Sequence, residues 1–243
     1  MSTGGRRPTV VRAAYRHETA VAHLLFLSAP GLYAAYAGSV VRAEAILAAA
    51  YGRGRHSASY EVCRVADAGD GPIGVLAGFP AERGDRLARR MVTLSFARMP
   101  PWRWPAARAV LQATESLVPA PPGFSWYVDA LAVAEETRGA GVGRALLEDA
   151  EQRAGEAGCT SLALETQLEN HAAQRLYESA GFKERTRRVA PADVAGRIGA
   201  TGYVAYVKEL SGPSGSTSRS TSAAAVATSA VTSPGGSAKR PST

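Results

Sequence analysis

The sequence predicts a mixed α/β (α+β) fold, a central and mostly antiparallel sheet flanked by helices, and three stretches carry that expectation. Residues 126–147, WYVDALAVAEETRGAGVGRALL, run from an alternating apolar strand through a charged bend and a glycine-spaced turn into a helix. The apolar runs 59–66 and 73–79 flank Asp67-Ala68-Gly69-Asp70-Gly71-Pro72, a loop of turn residues that suits an antiparallel hairpin. Residues 182–189 and 201–210 read as a closing antiparallel pair. At 243 residues and 46% hydrophobic content, the chain can bury a sizeable core, and one domain with appendages fits better than two.

Residues 1–8 read as a mobile start, and Thr9 to Ala13 as a short first strand. Arg16 to Leu27 puts Val21, Leu24 and Leu25 on one helical face. Pro30-Gly31 turns the chain, and residues 32–37 and 40–51 form a second, broken helix that Gly52-Arg53-Gly54 ends. Thr19 to Val41 contains no Asp, Glu, Lys or Arg, and its length would span a bilayer. His23, Ser28, Pro30-Gly31, Gly38 and Ser39 divide it into two weakly apolar pieces, so packed core helices are expected and no membrane span. No cleavage-like site follows an early apolar segment, which argues against a signal peptide.

Residues 80–122 read as a helical insertion before the strand of residues 126–133. Leu87, Met91, Leu94 and Met99 line one helical face, the Pro100-Pro101 break follows, and residues 106–117 make another helix. Arg83, Arg86, Arg89, Arg90, Arg98, Arg103 and Arg108 outnumber Glu82 and Asp85. Either this is a packed flap with solvated arginines, or a lid that draws an acidic group on a substrate. Further on, residues 161–165 form a buried strand and Asn170 caps a helix. Residues 211–243 are dominated by Ser, Thr, Ala, Gly and Pro, too poor in large apolar side chains to offset their ordering entropy, and are expected to be disordered. Residues 9–210 then make up the folded domain.

The glycine turn opens a helix in which Val142, Ala145, Leu146, Ala150 and Ala154 share a face. The first N–H groups of a helix lack internal partners and carry the positive end of its dipole, so together they attract an anion such as phosphate. Glycine at 139, 141 and 143 clears the approach and allows left-handed backbone, and Arg138 can add a charge-assisted bond. A bare G-x-G is equally explained as a tight turn before an amphipathic helix.

The whole stretch is more specific, because it resembles the GCN5-related N-acetyltransferase (GNAT) superfamily. That family's signature is a strand, then Arg/Gln-x-x-Gly-x-Gly/Ala, then a helix, and Arg138-Gly139-Ala140-Gly141-Val142-Gly143 matches it. The later run Asn170-His171-Ala172-Ala173-Gln174-Arg175-Leu176-Tyr177-Glu178-Ser179-Ala180-Gly181-Phe182 is similar to its second signature, N-x-x-A-x-x-L-Y-x-x-x-G-F. The resemblance implies a GNAT-like sheet opened at the motif strand, with acetyl-CoA as co-substrate and a primary amine attacking the thioester directly. It implies that the backbone near Leu131 and Val133 holds the pantetheine arm, with one N–H aimed at the thioester oxygen, while residues 138–144, ending at Arg144, cradle the diphosphate. Tyr177 matches the tyrosine that protonates the departing thiolate, though it would also pack under the sheet. Asn170 matches a residue that contacts the pantetheine, yet it has a structural reason to be there as a cap.

An acceptor amine with a pKa around 10.4 must lose a proton before it attacks. Asp129, a carboxylate inside an otherwise apolar strand, is the candidate base, and strict alternation places it on one face with Tyr127, Leu131 and Val133. Where family members carry a glutamate base on this strand, the residue here is Tyr127. A substrate-anchoring role for Asp129 therefore stays open, and Glu165 on the next strand is a second candidate.

Other features narrow the class. Cys63 and Cys159 form no C-x-x-C pair, which suits a reduced, cytoplasmic protein with two buried thiols. His17, His23, His56 and His171 lack zinc-ligand spacing, so no metal is expected. The net charge of +7 counts Arg219, Lys239 and Arg240 in a stretch without acids, and the bases are nearly all arginine, so no nucleic-acid partner is expected. The expected partner is a small-molecule or peptide amine, with a homodimer allowed. A non-catalytic acyl-CoA-binding module is the alternative from another class.

Overall fold

The computed structural model describes residues 9–69 and 71–210; the expected mobile start and disordered tail lie outside them. Seven strands form one sheet: β1 (Thr9–Arg12), β2 (Cys63–Asp67), β3 (Pro72–Pro80), β4 (Ser125–Val133), β5 (Ser161–Gln167), β6 (Lys183–Val189) and β7 (Gly202–Glu209). Their order is β1-β2-β3-β4-β5-β7-β6, antiparallel throughout except where β4 meets β5. Eight helices accompany them among the described residues: α1 (Glu18–Ser28), α2 (Pro30–Ala37), α3 (Val40–Tyr51), α4 (Gly84–Phe96), α5 (Trp104–Leu117), α6 (Val142–Glu156), α7 (His171–Ser179) and α8 (Ala192–Ile198).

The sheet is covered on both faces. On one, Val21 and Leu25 of α1 and Leu47 and Tyr51 of α3 pack on Val65, Val75, Ala77, Ala130 and Ala132. On the other, Leu146, Leu147 and Ala150 of α6 and Tyr177 of α7 pack on Leu76, Trp126, Val128, Leu162 and Val204. A smaller cluster joins α5 to α8 through Ala113, Leu117 and Ile198. Arg64 of β2 ties the sheet to α6 by two bonds to Asp149, Nε to Oδ2 at 2.9 Å and Nη2 to Oδ1 at 2.7 Å.

Two irregularities in β4 shape everything that follows. Ala130 pairs with Ala77 and Val128 with Gly78, so Asp129 is an extra residue, a β-bulge with no partner on β3. Parallel pairing with β5 covers only Ser125 to Val128, opposite Ser161 to Leu164, and beyond it the two strands diverge.

The bulge corrects the expected face assignment. Trp126 and Val128 pack towards α6, and so do Leu131 and Val133, while Tyr127 joins Ala130 and Ala132 on the α1–α3 side. One inserted residue reverses the alternation, so Asp129 keeps company with Tyr127 but not with Leu131 and Val133. Three smaller differences have local causes. Residues 59–62 are turns, since Ser59 and Val62 bond back to His56 and Ser59. Pro30 begins α2 rather than merely turning the chain, at the first helical position where its missing N–H is harmless. Helix α8, lying between the two closing strands where no element was expected, closes on Gly199 in left-handed conformation (φ 68°). No single described helix is long and apolar enough to cross a membrane, and the pair α1 and α2 that together has the length bends by 102°.

Candidate active site

Where β4 leaves β5, a cleft of about 700 Å³ opens between the end of β4, the start of α6 and the helix α7. Leu131, Val133, Arg138, Gly139, Gly141, Val142, Gly143, Arg144, Asn170 and Tyr177 all line it; Ala140, within the same turn, does not. Leu27 and Ser28 at the end of α1 complete the wall.

The glycines divide their work. Gly139 (φ 80°) and Gly141 (φ 81°) hold left-handed backbone, and a Cβ on either would meet nothing within 4 Å, so open space lies before them. Gly143 needs no special angle; a Cβ there would come within 2.8 Å of Leu176 Cδ2, so this glycine lets α7 approach α6. That corrects the expectation of left-handed backbone at all three. Gly141 is the N-cap of α6 and offers no side-chain cap, so the leading N–H groups of this 15-residue helix face the cleft's end unsatisfied. Arg138 Nε bonds Val133 O at 3.4 Å, and Arg144 Nη1 bonds Ser179 O at 3.1 Å, fixing both arginines at the rim.

Asn170 is the cap of α7, its Oδ1 accepting from Ala173 N at 3.1 Å. Tyr177, one helical face further on, is buried against the rings of Phe182 and Tyr206. Burial first, then the Glu165 charge, pushes its phenol above the ordinary range, so it holds its proton at neutral pH.

A second cavity, about 200 Å³, lies on the other face of β4. Its walls come from α2, α3, α4 and α5, and among the described residues its single carboxylate is Asp129. The Asp129 side chain is exposed, but to this cavity, while protein atoms pack densely around it. Desolvation therefore raises its pKa to about 6, moderated by the Ser57 hydroxyl. Glu165 on β5 receives the Tyr127 hydroxyl as a hydrogen bond and lines neither cavity. Burial and the Asp129 charge lift it to about 7, against the lowering effect of that bond.

The structure thus gathers the turn, Leu131, Val133, Asn170 and Tyr177 around one cleft and sets Asp129 apart, two residues along the strand and on the opposite face. At the α1–α2 corner Ser28, which lines the cleft, stands beside Tyr33, which lines the cavity. Tyr33 and Ser57 went unnoticed in the sequence, because nothing local marks residues that reach the site through tertiary packing. None of the seven arginines of residues 80–122 lines the cavity; its α4 and α5 walls are Ala88, Met91, Val92, Ser95, Val110, Leu111 and Thr114. Attraction of an acidic substrate group by those arginines has no support in this arrangement. Cys63 is buried and Cys159 half-buried, both free thiols, so only one of the two is fully enclosed as expected. Among the described residues no three His, Cys, Asp or Glu side chains gather closely enough to hold a metal ion.

The profile of the acetyltransferase (GNAT) family matches residues 56–182, more than half the chain. Among solved structures, one described as an acetyltransferase aligns at 21% identity and TM-score 0.60, covering 84% of this chain and 100% of that one. An N-acetyltransferase from Staphylococcus aureus Mu50 aligns at 14% identity and TM-score 0.60, covering 82% and 99%. An agmatine N-acetyltransferase aligns at 16% and 0.54, covering 84% and 100%. At such identities the likeness speaks for the fold. No curated protein matches the sequence.

Proposed function

This chain belongs to the acetyltransferase (GNAT) family, and from that premise we propose that it moves an acetyl group from acetyl-CoA to a primary amine by direct attack in a ternary complex. The observation that carries the reading is the bulged, splayed strand β4, which offers a glycine-turn cleft on one side and a carboxylate cavity on the other. Beyond Val128, β4 has no described strand partner on its β5 side, so backbone N–H groups around Leu131 and Val133 are free to hold an extended pantetheine arm. The leading N–H groups of α6, with Arg138 and Arg144 at the rim, suit the diphosphate. Holding both reactants in attack geometry contributes on the order of 7 kcal/mol or more to lowering the barrier.

Proton movements fall to this chain's own side chains. Asp129 receives the ammonium, is ionised above about pH 6, and takes its proton. A backbone N–H near Leu131 or Val133 stabilises the developing oxyanion. Tyr177, protonated throughout the neutral range, donates to the departing thiolate and is reprotonated by the second proton the nitrogen sheds on becoming an amide. Asn170 holds the start of α7 and so the position of Tyr177.

The cleft assignment is tested at Gly141. Gly141→Asp sets a carboxylate where the diphosphate is expected, and Gly141→Asn carries the same bulk without charge and tolerates left-handed backbone. In calorimetry, acetyl-CoA affinity should fall at least about tenfold further for the aspartate than for the asparagine variant. Equal, wild-type affinity in both folded variants would remove the cleft as the donor site.

A further inference from the structure

We propose that the acceptor is a monoamine whose one cationic nitrogen sits on a compact apolar body, about the size of a single aromatic ring on a short arm. The inference rests on the transferase reading above and adds the substrate class. It comes from the cavity beside Asp129, whose volume is about 200 Å³. A dry cavity of about 150 Å³ already admits benzene, so one ring and a two- or three-atom arm fill this space, while a sugar-sized or peptide-sized body does not.

The walls decide the chemistry of that body. Tyr33, Tyr36, Ile46, Leu47, Met91 and Val92 present apolar surface. The hydroxyls among the lining residues are mostly engaged with protein: Ser95 Oγ donates to Val92 O at 2.8 Å and meets Tyr36 Oη at 2.5 Å, and Thr114 Oγ1 donates to Val110 O at 3.0 Å. What remains for a ligand is the Asp129 carboxylate, with the Ser57 and Tyr33 hydroxyls beside it. Among the described residues no Lys, Arg or His lines the cavity. One ammonium therefore finds a counter-charge, whereas a second one would face apolar wall. The carboxylate of an amino acid would face Asp129 with no cation to offset it.

The same placement puts the nitrogen where acetylation needs it. Asp129 stands two residues before Leu131 on β4, and Tyr33 of the cavity adjoins Ser28 of the cleft. An amine seated on Asp129 thus has its body in the cavity and its nitrogen towards the thioester end of the cleft. Since α4 and α5 supply much of the wall, side chains there set the size of the body accepted.

The experiment uses the full chain, acetyl-CoA and a CoA-release assay with 2-phenylethylamine and 3-methylbutylamine against spermidine, lysine and a lysine-containing peptide. The two apolar monoamines should exceed each of the others in kcat/KM by about a hundredfold or more, because a misplaced charge in an apolar cavity is that costly. Met91→Ala, which enlarges the cavity, should shift the preference between 2-phenylethylamine and 2-(2-naphthyl)ethylamine about tenfold towards the larger ring. A polycation, amino acid or peptide as the best acceptor, or all amines within about threefold, would overturn the proposal. If acetyl-CoA binds and no amine releases CoA, the transferase reading fails, and calorimetry with 2-phenylethylamine still judges the cavity. Binding that Asp129→Asn weakens at least about tenfold upholds the amine site, and absence of binding to the wild type overturns it.

Discussion

Tyr177 and Asp129 are both shifted upward by burial, with opposite consequences, because a phenol so shifted stays an acid while a carboxyl at about 6 is a usable base at neutral pH. Tyr177→Phe keeps the packing on Phe182 and Tyr206, so acetyl-CoA affinity should hold within about twofold while kcat falls roughly 10²–10⁴-fold. Asp129→Asn should depress turnover most near neutrality and recover as rising pH deprotonates the amine unaided; a raised KM without recovery would make Asp129 an anchor only. In the wild type, rate should drop as pH falls through about 6, as Asp129 is protonated. Both residues were legible in the sequence, Tyr177 through its motif and Asp129 as a charge inside an apolar strand. Tyr33 and Ser57 were not, since neither sits in a motif and both reach the site only through tertiary packing.

At the scale of elements, β4 shows where periodicity stops informing. The alternation of residues 126–133 was enough to place a strand, but a one-residue bulge leaves the composition unchanged and reverses every face beyond it. Asp129 itself was the only trace, and its meaning as the extra residue needed the register with Ala77 and Gly78. Helix α8 escaped notice because residues 192–198 make only two turns between strong strand signals. The docking of α6 gives a prediction of its own. Arg64 and Asp149 are only 18% and 15% exposed, and Asp149→Ala strands the guanidinium against the sheet. The loss should be about 2–3 kcal/mol, below the 3–5 of fully buried pairs, because some solvent reaches the site. That corresponds to a Tm drop of roughly 5–10 °C by calorimetric scan. Neither residue lines the cleft, so acetyl-CoA affinity should change little once the variant is folded.

For the whole molecule, the two raised carboxyls set a pH dependence of stability. Unfolded, Asp129 and Glu165 titrate near 4; folded, at about 6 and about 7. Between those values the folded chain holds protons the unfolded chain has released, so their contribution favours the fold at low pH and declines as pH rises through about 4 to 7. Asp129→Asn with Glu165→Gln should therefore raise Tm relative to wild type at pH 8 and leave the difference near zero at pH 4. A variant equally or less stable at pH 8 would show that the two carboxylates are better solvated than this. The divided strand has one more outcome, in kinetics rather than structure. Among the described residues the cleft and the cavity share no lining residue, so donor and acceptor have separate places to sit at the same time. Both should be bound before chemistry begins, so double-reciprocal plots should intersect; a parallel family of lines would mean that an acetylated enzyme intervenes.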